Sequence, residues 1–165
     1  MHNYLKLLLV VFFFTSWSFA EPQNNSTNHI KSVVFGAGCF WSVEKKFQET
    51  LGVINVESGY ADGKKIKPIY REIIKKENRF NPDNYAEVVK VTYNSNHITF
   101  SELVKIFFEM HDPTQGNRQG NDIGVQYRSL ILASSEKEIS LSNQIKEQYQ
   151  VLLEKSGYGP VKTDI

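Results

Sequence analysis

A single cysteine, Cys39, stands in the 165 residues. No internal disulfide can form, so the thiol is either buried and inert or reactive. By count alone burial is the better reading, because a free cysteine behaves as a small hydrophobe. Charge of one sign is also lacking: 19 Lys and Arg stand against 18 Asp and Glu. Such a balance gives no reason to expect nucleic acid, an anionic membrane or a strongly acidic partner. His97, His111, Asp112 and Asp122 lack metal-ligand spacing, so no metal is expected. The glycines of Asn117 to Gly124 lack the lysine and spacing of a phosphate loop. No cofactor is called for. Internal repeats and, beyond the N-terminal segment, low-complexity tracts are absent too.

What is present begins with an export pattern. Lys6 precedes the apolar run Leu7 to Phe14, and Ser18-Phe19-Ala20 puts small residues where a signal peptidase inspects them. The run falls short of the roughly twenty residues a bilayer crossing needs. Residues 1–20 are therefore expected to be a cleaved secretory signal peptide, which makes the protein periplasmic or secreted. Cleavage removes Lys6 and no acid, leaving 18 side chains of each sign. Residues 21–31, polar and aperiodic, are expected to be a flexible leader. The remainder, residues 32–165, fits one domain with a real core.

Along that domain, Ser32 to Phe35 is a strand candidate broken by Gly36-Ala37-Gly38. A helix follows with Val43, Phe47 and Leu51 on one face, stopped by Gly52. Val53 to Ser58 and Ala86 to Tyr93 are strands separated by a basic, polar loop over 64–84. Thr99 and Glu102 form a capping box opening a helix with Leu103, Phe107 and Met110 inside. After a glycine-rich loop from His111 to Gly124, Tyr127 to Ala133 is a strand. Ser135 and Glu138 form a second capping box, opening a helix with Ile145, Tyr149, Leu152 and Leu153 inside, and Val161 to Ile165 begins a last strand. The expected fold is α+β: a mainly antiparallel sheet packed by helices, a ferredoxin-like two-layer sandwich.

Two residues point to chemistry. Cys39 follows a strand and two glycines and stands where a helix begins. Free N–H groups and the positive end of the helix dipole favour an anion there, which suits a thiolate nucleophile. Phe40 and Trp41 add apolar surface beside the sulfur, fitting a substrate with a reactive centre and a small apolar group. Either aromatic could simply pack the core; both beside the sole thiol is harder to explain that way. Glu87 shares a strand face with Val89, Val91 and Tyr93, so its carboxyl should be driven toward the neutral, proton-donating form. A strand-edge glutamate reaching water is an equal alternative on these grounds.

Gly38-Cys39-Phe40-Trp41 resembles the active-site motif of the A-type peptide methionine sulfoxide reductases. Gly59-Tyr60-Ala61-Asp62-Gly63, Ala86-Glu87-Val88-Val89, and the run from His111 through Ser129 match in the same order, and the resemblance covers Val33 to Ile165. It implies that Cys39 is the nucleophile, with Phe40 and Trp41 the wall around the sulfoxide methyl. Glu87 resembles the acid that protonates the sulfoxide oxygen, Tyr70 and Tyr127 the tyrosines that bind it, and Asp122 a residue that orders the site. The chain departs from the family in three places. Asn84-Tyr85 stands where glycine-histidine is usual, and the segment from Tyr70 to Glu87 is longer. The family also continues past the part resembling Val161 to Ile165, so the chain is expected to be short at its C-terminus.

The function implied is reduction of the S-epimer of methionine sulfoxide, free or in proteins, through a Cys39 sulfenic acid. Recycling cysteines, which many members carry in the tail, do not occur. A small thiol or a thioredoxin-like partner is therefore expected to regenerate Cys39, unless the sequence is a fragment lacking part of its site. A monomer is expected. Two other classes compete: a cysteine hydrolase pairing Cys39 with His97 or His111, and a non-catalytic module that binds oxidised methionine.

Overall fold

The computed structural model describes residues 29–64 and 67–165, and the expected signal peptide and most of the leader lie outside the described residues. Strand β1 (Ile30–Ala37) leads into α1 (Phe40–Gln48), then β2 (Val53–Ala61), the single turn α2 (Tyr70–Ile73) and β3 (Ala86–Asn94). Helix α3 (Phe100–Glu109), the small hairpin β4 (Arg118–Gln119) and β5 (Asp122–Ile123), β6 (Ser129–Leu132) and α4 (Glu136–Lys155) complete the order. The main sheet runs β2-β3-β1-β6, with every neighbouring pair antiparallel. That order, with a helix crossing between the parallel strands β1 and β2, is the ferredoxin-like arrangement expected.

Period-two alternation sorts the strands onto two faces. Val33, Phe35 and Ala37 of β1, and Val89, Val91 and Tyr93 of β3, meet Val43 and Phe47 of α1 and Leu103, Val104 and Phe107 of α3 in one core. Phe35 stacks on both Phe47 and Phe107, with ring centroids 5.1 Å apart in each pair. Truncating one of these rings would cost about 3–5 kcal/mol. The opposite face carries a smaller cluster of Ala86, Val88 and Leu130. Helix α4 lies on α3, where Phe108 and Tyr149 stack at 5.1 Å.

Thr99 caps α3 with both bonds of the expected box, its own oxygen taking the Glu102 N–H and the Glu102 carboxylate taking the Thr99 N–H. At α4 only half of that device forms. Ser135 accepts from Glu138 N–H, while the Glu138 carboxylate reaches past it to Ser134 N–H and Oγ.

Several expectations are corrected. Strand β1 starts at Ile30, so the leader does not extend to residue 31. Helix α1 ends at Gln48, and Leu51, placed in the following turn, is 90% exposed. Leu152 also faces outward on α4. The 64–84 segment contains α2 and a 3-10 turn, Lys76–Asn78, rather than loop alone. Tyr127 ends a 3-10 turn, Val125–Tyr127, and the strand begins two residues later. The terminal segment makes one parallel bridge, Asp164 to Leu130, instead of a strand. No helix among the described residues is long and apolar enough to cross a membrane.

Candidate active site

Gly38 sets the position of Cys39. Its φ of +95° lies in the left-handed region open mainly to glycine. A Cβ there would also fall 2.8 Å from both Cβ and Cγ of Gln119. The β4–β5 hairpin thus packs directly on the turn that delivers the cysteine. Cys39 follows as the N-cap of α1, half-buried, its carbonyl accepting from Ser42 N–H at 3.2 Å.

Glu87 is 3% exposed and lies on the helix-covered face of β3, in line with Val89, Val91 and Tyr93. The β1–β3 register pairs Phe35 with Val89, and continuing it two residues sets Glu87 across from Ala37. That brings the carboxyl to the start of α1, where Phe40 N–H donates to Glu87 Oε2 at 3.2 Å. Burial pushes the Glu87 carboxyl above the ordinary carboxylate range; the Phe40 N–H draws it back, and the charge of Asp122 adds to the rise. A carboxyl buried, held by one peptide N–H and biased toward its protonated form is equipped to donate a proton.

Tyrosines surround that group. Burial raises the Tyr127 hydroxyl pKa, and the charges of Glu87, Asp122 and Cys39 raise it further, against a Gln126 hydrogen bond. Burial likewise raises Tyr60, followed by Glu87, Tyr70 and Tyr127. Cys39, Glu87, Asp122, Tyr60, Tyr70 and Tyr127 therefore occupy one electrostatic neighbourhood. The wall is less enclosed. Phe40 is half-buried, whereas Trp41 is 75% exposed, its ring centroid 6.5 Å from that of Phe40. Tyr70, at the start of α2, is 60% exposed and forms an outer edge. Asp122, also exposed, sits across the hairpin from Gln119.

Three features that the sequence reading left without a role support the site. Asn84, in the departure from the family pattern, is fully buried. Its amide donates to the Ile73 and Asn78 carbonyls at 3.0 and 2.9 Å, tying the segment that carries Tyr70 to the entry of β3. Arg128 bonds the Asp62 carbonyl and carboxylate at 2.6 and 2.8 Å and the Val125 carbonyl at 2.9 Å, clamping the end of β2 beside Tyr127. Tyr60 lies opposite Glu87 in the β2–β3 register. The first two rest on side-chain bonds to loop carbonyls and the third on strand register, so spacing along the chain gave no signal for them. His97 and His111 do not pair with Cys39; His111 is bound to Phe107 and Ser129 instead. Among the described residues no three His, Cys, Asp or Glu side chains converge as a metal site requires.

Known proteins share this arrangement of chain. Residues 31–163 match the family model described as peptide methionine sulfoxide reductase. The human mitochondrial peptide methionine sulfoxide reductase is 46% identical over 145 residues, covering 88% of this chain and 58% of the human protein. The chain thus spans less than two thirds of that relative's length. Methionine sulfoxide reductase A of Corynebacterium diphtheriae superposes with a TM-score of 0.75 at 38% identity, over 82% of this chain and 63% of that one. Mxr1 from Saccharomyces cerevisiae, solved in complex with Trx2, gives 0.53 at 27% identity, over 81% and 78%. With the family match running from the second residue of β1 to Thr163, the chain belongs to the peptide methionine sulfoxide reductase family.

Proposed function

We propose that the protein reduces the S-epimer of methionine sulfoxide, free or in proteins, with Cys39 as nucleophile and Glu87 as acid. The observation that carries this reading is the Phe40 N–H bond to Glu87, which holds a buried, protonation-prone carboxyl one residue from the sole thiol. The Cys39 thiolate attacks the sulfoxide sulfur as Glu87 delivers a proton to the oxygen. The sulfoxide S–O bond breaks as the Cys39 sulfur gives up two electrons and takes the oxygen, so the sulfoxide is reduced to the thioether, Cys39 is oxidised to a sulfenic acid, and methionine leaves. Two equivalents of an external thiol then return Cys39 to the thiol, forming a disulfide and water. Phe40, with Trp41 at the rim, takes the S-methyl group, while Tyr70 and Tyr127 take the oxygen and Asp122 orders the pocket from the hairpin. With oxygen and methyl assigned to opposite sides, the peptide chain leaves by the third direction, and one sulfur configuration is accepted.

The reductant we propose is a thioredoxin-like protein or a small dithiol, as the complex of the yeast relative with Trx2 suggests. Residues 1–20 we read as an export signal, which places this chemistry in the periplasm or outside the cell; N-terminal sequencing of the purified protein should find Glu21 first. The deciding experiment is turnover of a methionine sulfoxide peptide with dithiothreitol, alongside intact mass spectrometry with dimedone. Multiple turnovers and a dimedone adduct at Cys39, both lost in Cys39→Ser, are expected. An untouched thiol after exposure to substrate would overturn the reading.

A further inference from the structure

Tyr60 faces the helix-covered side of the sheet, because it shares a strand face with Val56, a member of the main core. Its cross-strand partner is Glu87. Directly opposed residues in an antiparallel pair hold their Cβ atoms about 5 Å apart, which sets the Tyr60 side chain beside that of Glu87. The same ring meets Phe40, with centroids 5.7 Å apart and planes tilted by 44°. Phe40 in turn donates its backbone N–H to the Glu87 carboxylate at 3.2 Å. Tyr60, Phe40 and Glu87 thus close a triangle: ring on ring, peptide on carboxyl, carboxyl across the strand from ring.

We propose that Tyr60 is a positioning residue of this site, its ring holding Phe40 so that the Phe40 peptide keeps Glu87 in place and shielded. The inference rests on the reading of Glu87 as the acid. It assigns the work to the ring and not to the hydroxyl, since the ring is the part that packs on Phe40. Among the described residues, Asp122, Tyr127 and Tyr60 are the ionisable groups whose charges couple to Glu87.

Removing the ring admits water to Glu87, which lowers its titration midpoint, and loosens the Phe40 bond, which raises it. Burial is the larger of the two influences, so the midpoint should fall.

The test follows Glu87 directly, by carbon-13 NMR titration of its carboxyl in the full chain, together with steady-state rates. In Tyr60→Ala the midpoint is expected to fall by about one pH unit. The kcat should fall about tenfold with KM little changed, since the acid and not the binding is disturbed. Tyr60→Phe should restore both. An unchanged Glu87 midpoint in Tyr60→Ala, with the fold intact by circular dichroism, would overturn the proposal. So would a Tyr60→Phe variant that behaves like the alanine, because the hydroxyl would then be the active part. If the alanine variant fails to fold, Tyr60→Leu replaces it: a wild-type midpoint and rate there would equally overturn it. Should the wild type show no turnover while the midpoint still moves as expected, the positioning role stands and the reductase reading falls.

Discussion

Acid should loosen this fold through His111 before most carboxylates are protonated. The imidazole lies at the end of α3, its Nδ1–H donating to the Phe107 carbonyl at 2.7 Å. A carbonyl can only accept, so Nδ1 carries the proton and neutral Nε2 accepts from Ser129 Oγ at 2.8 Å. Ser129 Oγ lies 2.7 Å from Thr163 Oγ1, and both residues are buried. Burial depresses the His111 pKa to about 4, against the smaller opposing effects of the Phe107 bond and the Asp112 charge. The unfolded chain takes up its proton near the ordinary 6.5, whereas the native ring resists until about pH 4. Stability from this group is therefore whole above pH 6.5 and is lost as pH falls toward 4. At about 1.4 kcal/mol per pH unit, that interval amounts to about 3 kcal/mol, a large share of the roughly 5–15 kcal/mol a domain has. Glu87, with its raised pKa, works in the opposite sense, because the native state then binds the proton more readily. Comparing wild type with His111→Gln cancels that contribution, since Glu87 is common to both. Urea unfolding between about pH 7.5 and about pH 4.5 should show the wild-type advantage shrinking by about 2–3 kcal/mol. Two curves that stay parallel across that range would refute the reasoning.

Three further outcomes follow from the geometry. Glu87→Gln keeps the shape and the acceptor for Phe40 N–H but cannot give up a proton, so single-turnover reduction should slow about 10²–10⁴-fold with little change in binding; rates within a few-fold of wild type would remove Glu87 as the acid. Gly38→Ala combines left-handed backbone with a contact at 2.8 Å to Gln119, and should cost about 2 kcal/mol in urea unfolding while lowering the rate of Cys39 alkylation or turnover. Asn84→Asp replaces a double donor by a carboxylate facing the Ile73 and Asn78 carbonyls, and should cost about 3–5 kcal/mol at neutral pH, with hydrogen exchange rising first across residues 70–84.

Local signals served well wherever the physics was local. Ala86 to Tyr93 is so rich in β-branched and aromatic residues that β3 lies within one residue of its expected end, and Thr99 with Glu102 marks the start of α3 because a capping box needs only residues three apart. The start of α1 just after Cys39 was legible from Gly36-Ala37-Gly38 for the same reason. Leu51 misled because the four-residue step from Val43 and Phe47 continues by coincidence after the helix has ended, with Thr50 N–H already turned back to Phe47. Tyr127 has high strand propensity, yet the chain leaves Gly124 at φ 150° and closes a tight turn, Tyr127 N–H to the Gly124 carbonyl at 3.0 Å. The order within 67–84 comes from Asn84, and its two acceptors lie six and eleven residues away. A polar residue that looks like loop in sequence is in fact the hub of that loop. Tyr60 was visible within a family-like motif, but its partners are set by the pairing of β2 with β3.

That pairing explains why so dispersed a set of residues can act together. Tyr60 stands across from Glu87, Glu87 across from Ala37 when the β1–β3 register is continued, and Ala37 across from Ser129. One row therefore crosses all four strands at the end of the sheet nearest Cys39, with His111 bound to its last member. A buried acid needs a rigid, dry floor, and a substrate sulfoxide needs access; the end of the sheet, where the core gives way to solvent, meets both demands. The row lies where the helix-covered face runs out, so Glu87 keeps the burial of the core while the next two residues of the β1 strand direction bring the thiol to the surface. A slip of one residue in either β2 or β1 would turn Tyr60 or Ala37 to the other face and break the row. The register, more than any single contact, is what makes this end of the sheet a site.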